Sequence, residues 1–274
     1  MAVPRPLLHR ALHGHRPAPL IQPPLNIAHR GAAGDAPENT LLAFDLAAKQ
    51  GADGIELDVH LSADGVPVVI HDARLERTTS GSGLVGKHTL ASLRRLDAGS
   101  WFNRRFPSKA RARYAGLKIP TLAEALAWVR QRKCLVFVEI KQGRTLYPGI
   151  EAKVMAEIER GGTAQFTTVI SFHLPTLRRF RQMDPRIALG IDFTRPILAI
   201  RRAASLKAAS VLPHWAFASR RFLRRAHRAG IQVLVWDLDQ PQWMYRKILD
   251  GVDGAITRYP AEFAEIRDSL KPLM

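Results

Sequence analysis

Residues 54–71 read GIELDVHLSADGVPVVIH, and the fold turns on how this stretch pairs with itself. Its two halves, 54–60 and 66–71, are rich in Val, Ile and Leu, the composition of strands. Only Ala63-Asp64-Gly65 separates them. That connection is too short for a parallel crossover, so the second run must return antiparallel, as a hairpin. Glu56 and Asp58 lie two apart on the first run and therefore point to one face.

Outward from this stretch, further β-rich runs occupy 25–29, 135–141, 167–172, 187–191, 210–213, 232–237 and 254–257. Most lack polar alternation, as expected of parallel strands buried on both faces. Between them lie helical segments. Residues 40–50 follow Asn39, a favoured N-cap, and stop before Gly51. Residues 121–132 open on the capping-box pattern Thr121-x-x-Glu124, 150–160 end at Gly161-Gly162, and 219–229 end at Gly230. With the returning hairpin strand set aside, eight strand–helix units remain. The expected fold is α/β, a (β/α)8 TIM barrel, with a hairpin strand and an insertion at about 73–118 after the second strand. A doubly wound sheet is the alternative, weakened because no GxGxxG turn follows the first strand. Residues 1–24, basic and proline-rich without apolar periodicity, are expected to form a flexible tail before a barrel domain at 25–274.

The chain has 274 residues, with 41 Lys and Arg against 24 Asp and Glu, a net charge of +17. No run approaches the roughly 18 apolar residues of a spanning helix. The single cysteine, Cys134, excludes a disulfide framework or a cysteine-based zinc cluster. The first 24 residues hold no secretory apolar core, which sets the cytoplasm as the expected location. The basic surplus points to an anionic partner: a phosphorylated substrate, an acidic membrane surface or a nucleic acid. Six basic residues and no acid lie between Asp97 and Glu124, and nine basic residues and no acid from Arg195 to Arg228. No nucleic-acid-binding motif is present, so nucleic acid is not the expected partner. A weak contact with an anionic membrane surface is.

Active sites of such barrels form at the C-terminal strand ends. Those ends carry His29 and Arg30, Glu56 and Asp58, His71 and Asp72, Glu139 and Lys141, and Trp236 and Asp237. Three carboxylates converging inside an apolar barrel repel one another unless a cation neutralises them. A hard divalent ion with oxygen ligands is the natural solution, namely Mg, Ca or Mn. Two histidines beside them can act as base and acid near neutral pH.

The ordered motifs AHRGAAGDAPENT (28–40), GADGIELDV (51–59), HD (71–72), VEIK (138–141) and GVDGAITRYP (251–260) resemble the glycerophosphodiester phosphodiesterase family. The likeness spans about residues 26–262. It implies a TIM barrel, one divalent cation, and hydrolysis of small glycerophosphodiesters to glycerol 3-phosphate and an alcohol. It further implies that His29 and His71 are the general acid and base, and that Glu56, Asp58 and Glu139 are the metal ligands. By the same likeness Arg30 and Lys141 contact phosphate, and Trp236 lines the substrate site. A lysophospholipase D acting on acylated diesters is the alternative, and an inert basic binder of membranes or nucleic acid a second. One departure bears on substrate: the family's closing Thr-Asp-x-Pro is here Thr257-Arg258-Tyr259-Pro260.

Overall fold

The computed structural model describes residues 23–142, 147–194 and 198–271. Nine strands form one sheet: β1 (Leu25–His29), β2 (Gly54–Leu61), β3 (Pro67–Val69), β4 (Leu135–Ile140), β5 (Thr167–Ser171), β6 (Ala188–Phe193), β7 (Ser210–Pro213), β8 (Gln232–Val235) and β9 (Gly254–Thr257). They run in the order β1-β9-β8-β7-β6-β5-β4-β2-β3, and a further β1–β2 pairing closes eight parallel strands into a barrel. The expected strands all form, within one or two residues at their ends.

β2 is long enough to serve two partners along one edge. Its beginning pairs with β1, from Ile27 opposite Gly54 to His29 opposite Glu56. Beyond the end of β1, Val59 to Leu61 pair antiparallel with Val69 to Pro67 of β3. The hairpin expected from 54–71 thus occupies the edge that β1 vacates. Its turn is held by the Ser62 hydroxyl, which accepts from the Val66 amide at 2.9 Å and donates to Asp64 at 2.6 Å. Gly65, at φ +76°, supplies the left-handed residue.

Side chains alternate across the barrel wall. Ile27, Phe137, Ile170, Leu212, Leu234 and Ile256 fill the interior. Ile55, Leu57, Val59, Val136 and Val138 point outward into the layer shared with the helices. Both faces are buried, which explains the missing polar alternation. Nearer their C-terminal ends, β2 and β4 break the pattern: the inward positions become carboxylates.

The helix Leu122–Arg132 carries the expected capping box, with Thr121 and Glu124 satisfying each other's backbone amides. Arg220–Arg228 is capped by Ser219. One cap differs from expectation. The helix Leu41–Lys49 is capped by Thr40, whose hydroxyl accepts from the Ala43 amide, and Asn39 lies outside it at φ +55°. That frees the Asn39 side chain for the site below.

Residues 73–118 contain two short helices, Leu90–Leu93 and Ser100–Arg105, and three 3-10 turns. Leu75, Val85 and Leu93 pack against Val68 and Ile70 of the hairpin, while Phe102 and Tyr114 pack on Ala36 and Ala43. Part of the positive charge in this segment is internally satisfied. The Lys109 ammonium donates to Gly34 and Asp35 and lies over the Tyr259 ring, and Lys118 reaches the carbonyls of Arg95 and Leu96. The expected tail falls almost wholly in residues 1–22, outside those described. Among the described residues no helix is long and apolar enough to cross a membrane.

Candidate active site

The register between β2 and β4 sets Asp58 directly opposite Glu139. Glu56 lies two residues earlier on the same face of β2. One oxygen from each of these carboxylates falls within 4.8 Å of the others. They sit at the edge of a cavity of about 200 Å³ in the C-terminal mouth of the barrel. His29, Arg30, Glu56, His71, Glu139, Lys141 and Trp236 all line it. Asp58 is fully buried beside them. The eight residues singled out in the sequence, drawn from β1, β2 and β4 and from the loops after β1, β3, β4 and β8, therefore converge on one place.

Two cations and two amides hold the acids. Lys141 Nζ lies 2.9 Å from Asp58 and 2.7 Å from Glu139. Arg30 Nε approaches Asp58 at 3.3 Å, and the Arg30 backbone amide donates to Glu56 at 3.1 Å. Asn39 Nδ2 donates to Asp58 at 2.8 Å. The loop after β1 makes this geometry by a tight reversal. Arg30 and Gly31 both take positive φ, and a Cβ on Gly31 would meet the Ala43 backbone at 2.7 Å. Only glycine fits there.

The charges do not balance. Burial opposes ionisation of Asp58, yet Lys141, Arg30 and the Asn39 hydrogen bond hold it well below the usual carboxylate range. Glu56 is pushed well above that range, first by burial and then by repulsion from Asp58 and Glu139. Burial raises Glu139 as well, against the pull of Lys141. Glu56 Oε1 is buried and has no hydrogen-bond partner. A set of carboxylate oxygens with an unsatisfied member suits a hard, oxygen-seeking cation, and these three residues can hold one.

Each histidine is backed by a carboxylate. His29 Nδ1 lies 2.9 Å from Asp237, and His71 Nδ1 lies 2.6 Å from Asp72. Burial works against ionisation of Asp237, but pairing with His29 brings it down to about 2. An ionised carboxylate only accepts, so His71 Nδ1, hydrogen-bonded to Asp72, carries the proton and leaves Nε2 for chemistry. His29 faces Asp237 on one side and, through Nε2, Glu56 at 3.8 Å on the other. Asp72 is gripped in turn by Arg77, which also binds Glu38 through two nitrogens at 2.7 and 2.8 Å. Glu38 closes the chain onto Arg30 at 2.9 Å. His71 and Arg30 are thereby braced by one network. Trp236 donates to the Leu212 carbonyl and meets Phe172 edge-on.

Four contributors carried no role in the sequence reading. Asp72 and Asp237 stood at strand ends without one, and their positions next to His71 and Trp236 were the available signal. Glu38 and Arg77 are 39 residues apart and gave none. The exchange of acid for base at Arg258 is balanced locally, because its Nε lies 2.7 Å from Asp239.

The profile of the glycerophosphoryl diester phosphodiesterase family matches residues 29–262. A glycerophosphodiester phosphodiesterase of Caldanaerobacter subterraneus is 38% identical over 86% of this chain and 94% of that protein. One of Bacillus subtilis is 34% identical over 89% of this chain and 86% of its own length. Among solved structures, an Oleispira antarctica phosphodiesterase in complex with the product sn-glycerol-3-phosphate superposes with a TM-score of 0.79 at 31% identity, covering 89% of this chain and 97% of that one. A glycerophosphodiester phosphodiesterase of Agrobacterium tumefaciens gives 0.74 at 32%, covering 88% and 99%. By its match to the family profile over most of its length and its likeness to these relatives, this chain is an enzyme of the glycerophosphoryl diester phosphodiesterase family.

Proposed function

We propose that the enzyme hydrolyses glycerophosphodiesters to glycerol 3-phosphate and an alcohol by two-histidine acid–base catalysis, with residues 25–274 as one catalytic unit. The observation that carries this reading is the pair of carboxylate-backed imidazoles facing the three clustered acids. Arg30 and Lys141 share the charge of the bound phosphate, Arg30 through a guanidinium that Glu38 holds in place. Glu56, Asp58 and Glu139 would hold a divalent ion, which would supply Lewis acidity toward the phosphate when bound. One imidazole takes a proton from the nucleophile, and the other gives one to the departing alkoxide. Trp236 walls the substrate side. Release of glycerol 3-phosphate from glycerophosphocholine, glycerophosphoethanolamine and glycerophosphoglycerol is the direct test. No release from any of them overturns the reading.

The proposed compartment is the cytoplasm, in keeping with a half-buried, unpaired Cys134 whose thiol burial pushes up to about 11. Contact with an anionic membrane is also proposed. The loops and first helical turns after β5 to β8 expose Phe172, Leu198, Phe217 and Trp243 at the end of the barrel where the cavity opens. Arg201, Arg202 and Arg221 flank them, exposed and without acidic partners among the described residues. Apolar tips bordered by arginines suit an acidic bilayer surface. Co-sedimentation with vesicles rich in phosphatidylglycerol is expected at low salt and is lost at high salt. Phe217→Ser is expected to weaken it severalfold, and absence of binding at low salt rejects the contact.

A further inference from the structure

The cavity has two unlike halves. β1, β2, β4 and the hairpin supply its charged side, with the histidines, the acids and their cations. The strands β5 to β9 supply an apolar side that includes Ile170, Phe172, Trp236 and Ile256. Two carboxylates also line this second half. Asp237 is accounted for, because it pairs with His29.

Asp192, on β6, is not. It is 5% exposed and lines the cavity, and its Oδ2 has no hydrogen-bond partner. It lies outside the cluster of three carboxylates suited to a cation. Burial and the nearby Glu139 raise its pKa well above the usual range. A buried carboxyl oxygen left without a donor is costly, and at a cavity wall a bound molecule can supply that donor.

Resting on the function proposed above, we infer that Asp192 accepts the hydroxyl hydrogens of the substrate's glycerol moiety and makes the enzyme selective for diesters that carry them. The chemistry of the donor follows from the surroundings. Asp192 shares the cavity with Ile170, Phe172, Trp236 and Ile256, an apolar surround that suits the neutral hydroxyls of a glycerol moiety, each able to donate to a carboxyl oxygen. A site built to pair a substrate hydroxyl also discriminates strongly against an analogue without one, because its own polar group is then left unpaired.

The test compares Asp192→Ala and Asp192→Asn with the wild type on glycerophosphocholine and on bis(4-nitrophenyl) phosphate, which has no hydroxyls. For Asp192→Ala, kcat/KM on the glycerol diester is expected to fall about 10–100-fold. The hydroxyl-free diester should stay within about threefold, and Asn should restore part of the loss. Binding gives a second readout: calorimetry should show weaker affinity for glycerol 3-phosphate and unchanged affinity for methyl phosphate. Equal losses on both diesters overturn the inference and make Asp192 part of the general machinery. Weakened Mn binding in Asp192→Asn also overturns it, in favour of a cation ligand. Unchanged kinetics on both diesters overturn it as well. Failure of the wild type to release glycerol 3-phosphate is a separate result and removes the underlying function instead.

Discussion

His29→Ala and His71→Ala are each expected to lower turnover of glycerophosphocholine by about 10²–10⁴-fold, the usual worth of a positioned acid or base. The choline alkoxide is a poor leaving group and needs a proton to depart. A 4-nitrophenolate leaving group departs without one. Changing to a nitrophenyl ester should therefore rescue the variant lacking the acid and leave the variant lacking the base impaired. The two histidines are placed for different environments: Asp72 is locked by Arg77, whereas Asp237 has its carboxylate partly open to solvent. The pH profile of kcat/KM should be bell-shaped in the wild type and lose one limb in each variant. The measurement is steady-state kinetics on the two esters between pH 5 and 9. Near-normal rates for both variants on glycerophosphocholine would show that the imidazoles are structural.

Exhaustive chelation is expected to abolish activity, with recovery on adding Mg, Mn or Ca. The physical reason is the imbalance around Glu56, where burial and two neighbouring carboxylates outweigh Arg30 and Lys141. A cation that binds only the folded state at about 100 times its Kd adds roughly 2.7 kcal/mol. For a domain of this size that corresponds to a rise in Tm of about 5–10 °C. Glu56→Gln removes one ligand and one repulsive charge together. Because a lost outer-shell partner alone costs about 10–100-fold in metal affinity, loss of a direct ligand should cost at least about 100-fold. In chelator its Tm should equal or exceed that of the wild type, since the buried repulsion is gone. Thermal melts of both proteins, with and without metal, give the sign. Full activity after chelation, or a Glu56→Gln variant that still gains stability from metal, would falsify the assignment of these three acids.

The sequence by itself determined the barrel and the chemical composition of its mouth. A three-residue connection at 63–65 admits only a hairpin, and the remaining runs are apolar on both faces, which leaves closed, helix-covered parallel strands. Period-two alternation put Glu56 with Asp58, and Glu139 with Lys141, on common faces without reference to any other strand. What alternation along one strand cannot supply is register between strands, and register is what sets Asp58 opposite Glu139. Nor can it show which donors meet which acceptors across distant loops. Asn39 was legible as a helix cap because Asn commonly is one. Thr40 took that position, and the Asn39 amide went to Asp58 instead. Arg77 and Glu38 join only because the hairpin and the first loop fold over the same rim. Asp192 lies one residue beyond the run read as a strand, and its inward direction became definite only when β6 extended to Phe193. In each case the tertiary structure decided the outcome, because a polar group's role depends on the partner it meets, and the partner is chosen by packing rather than by neighbours in the chain.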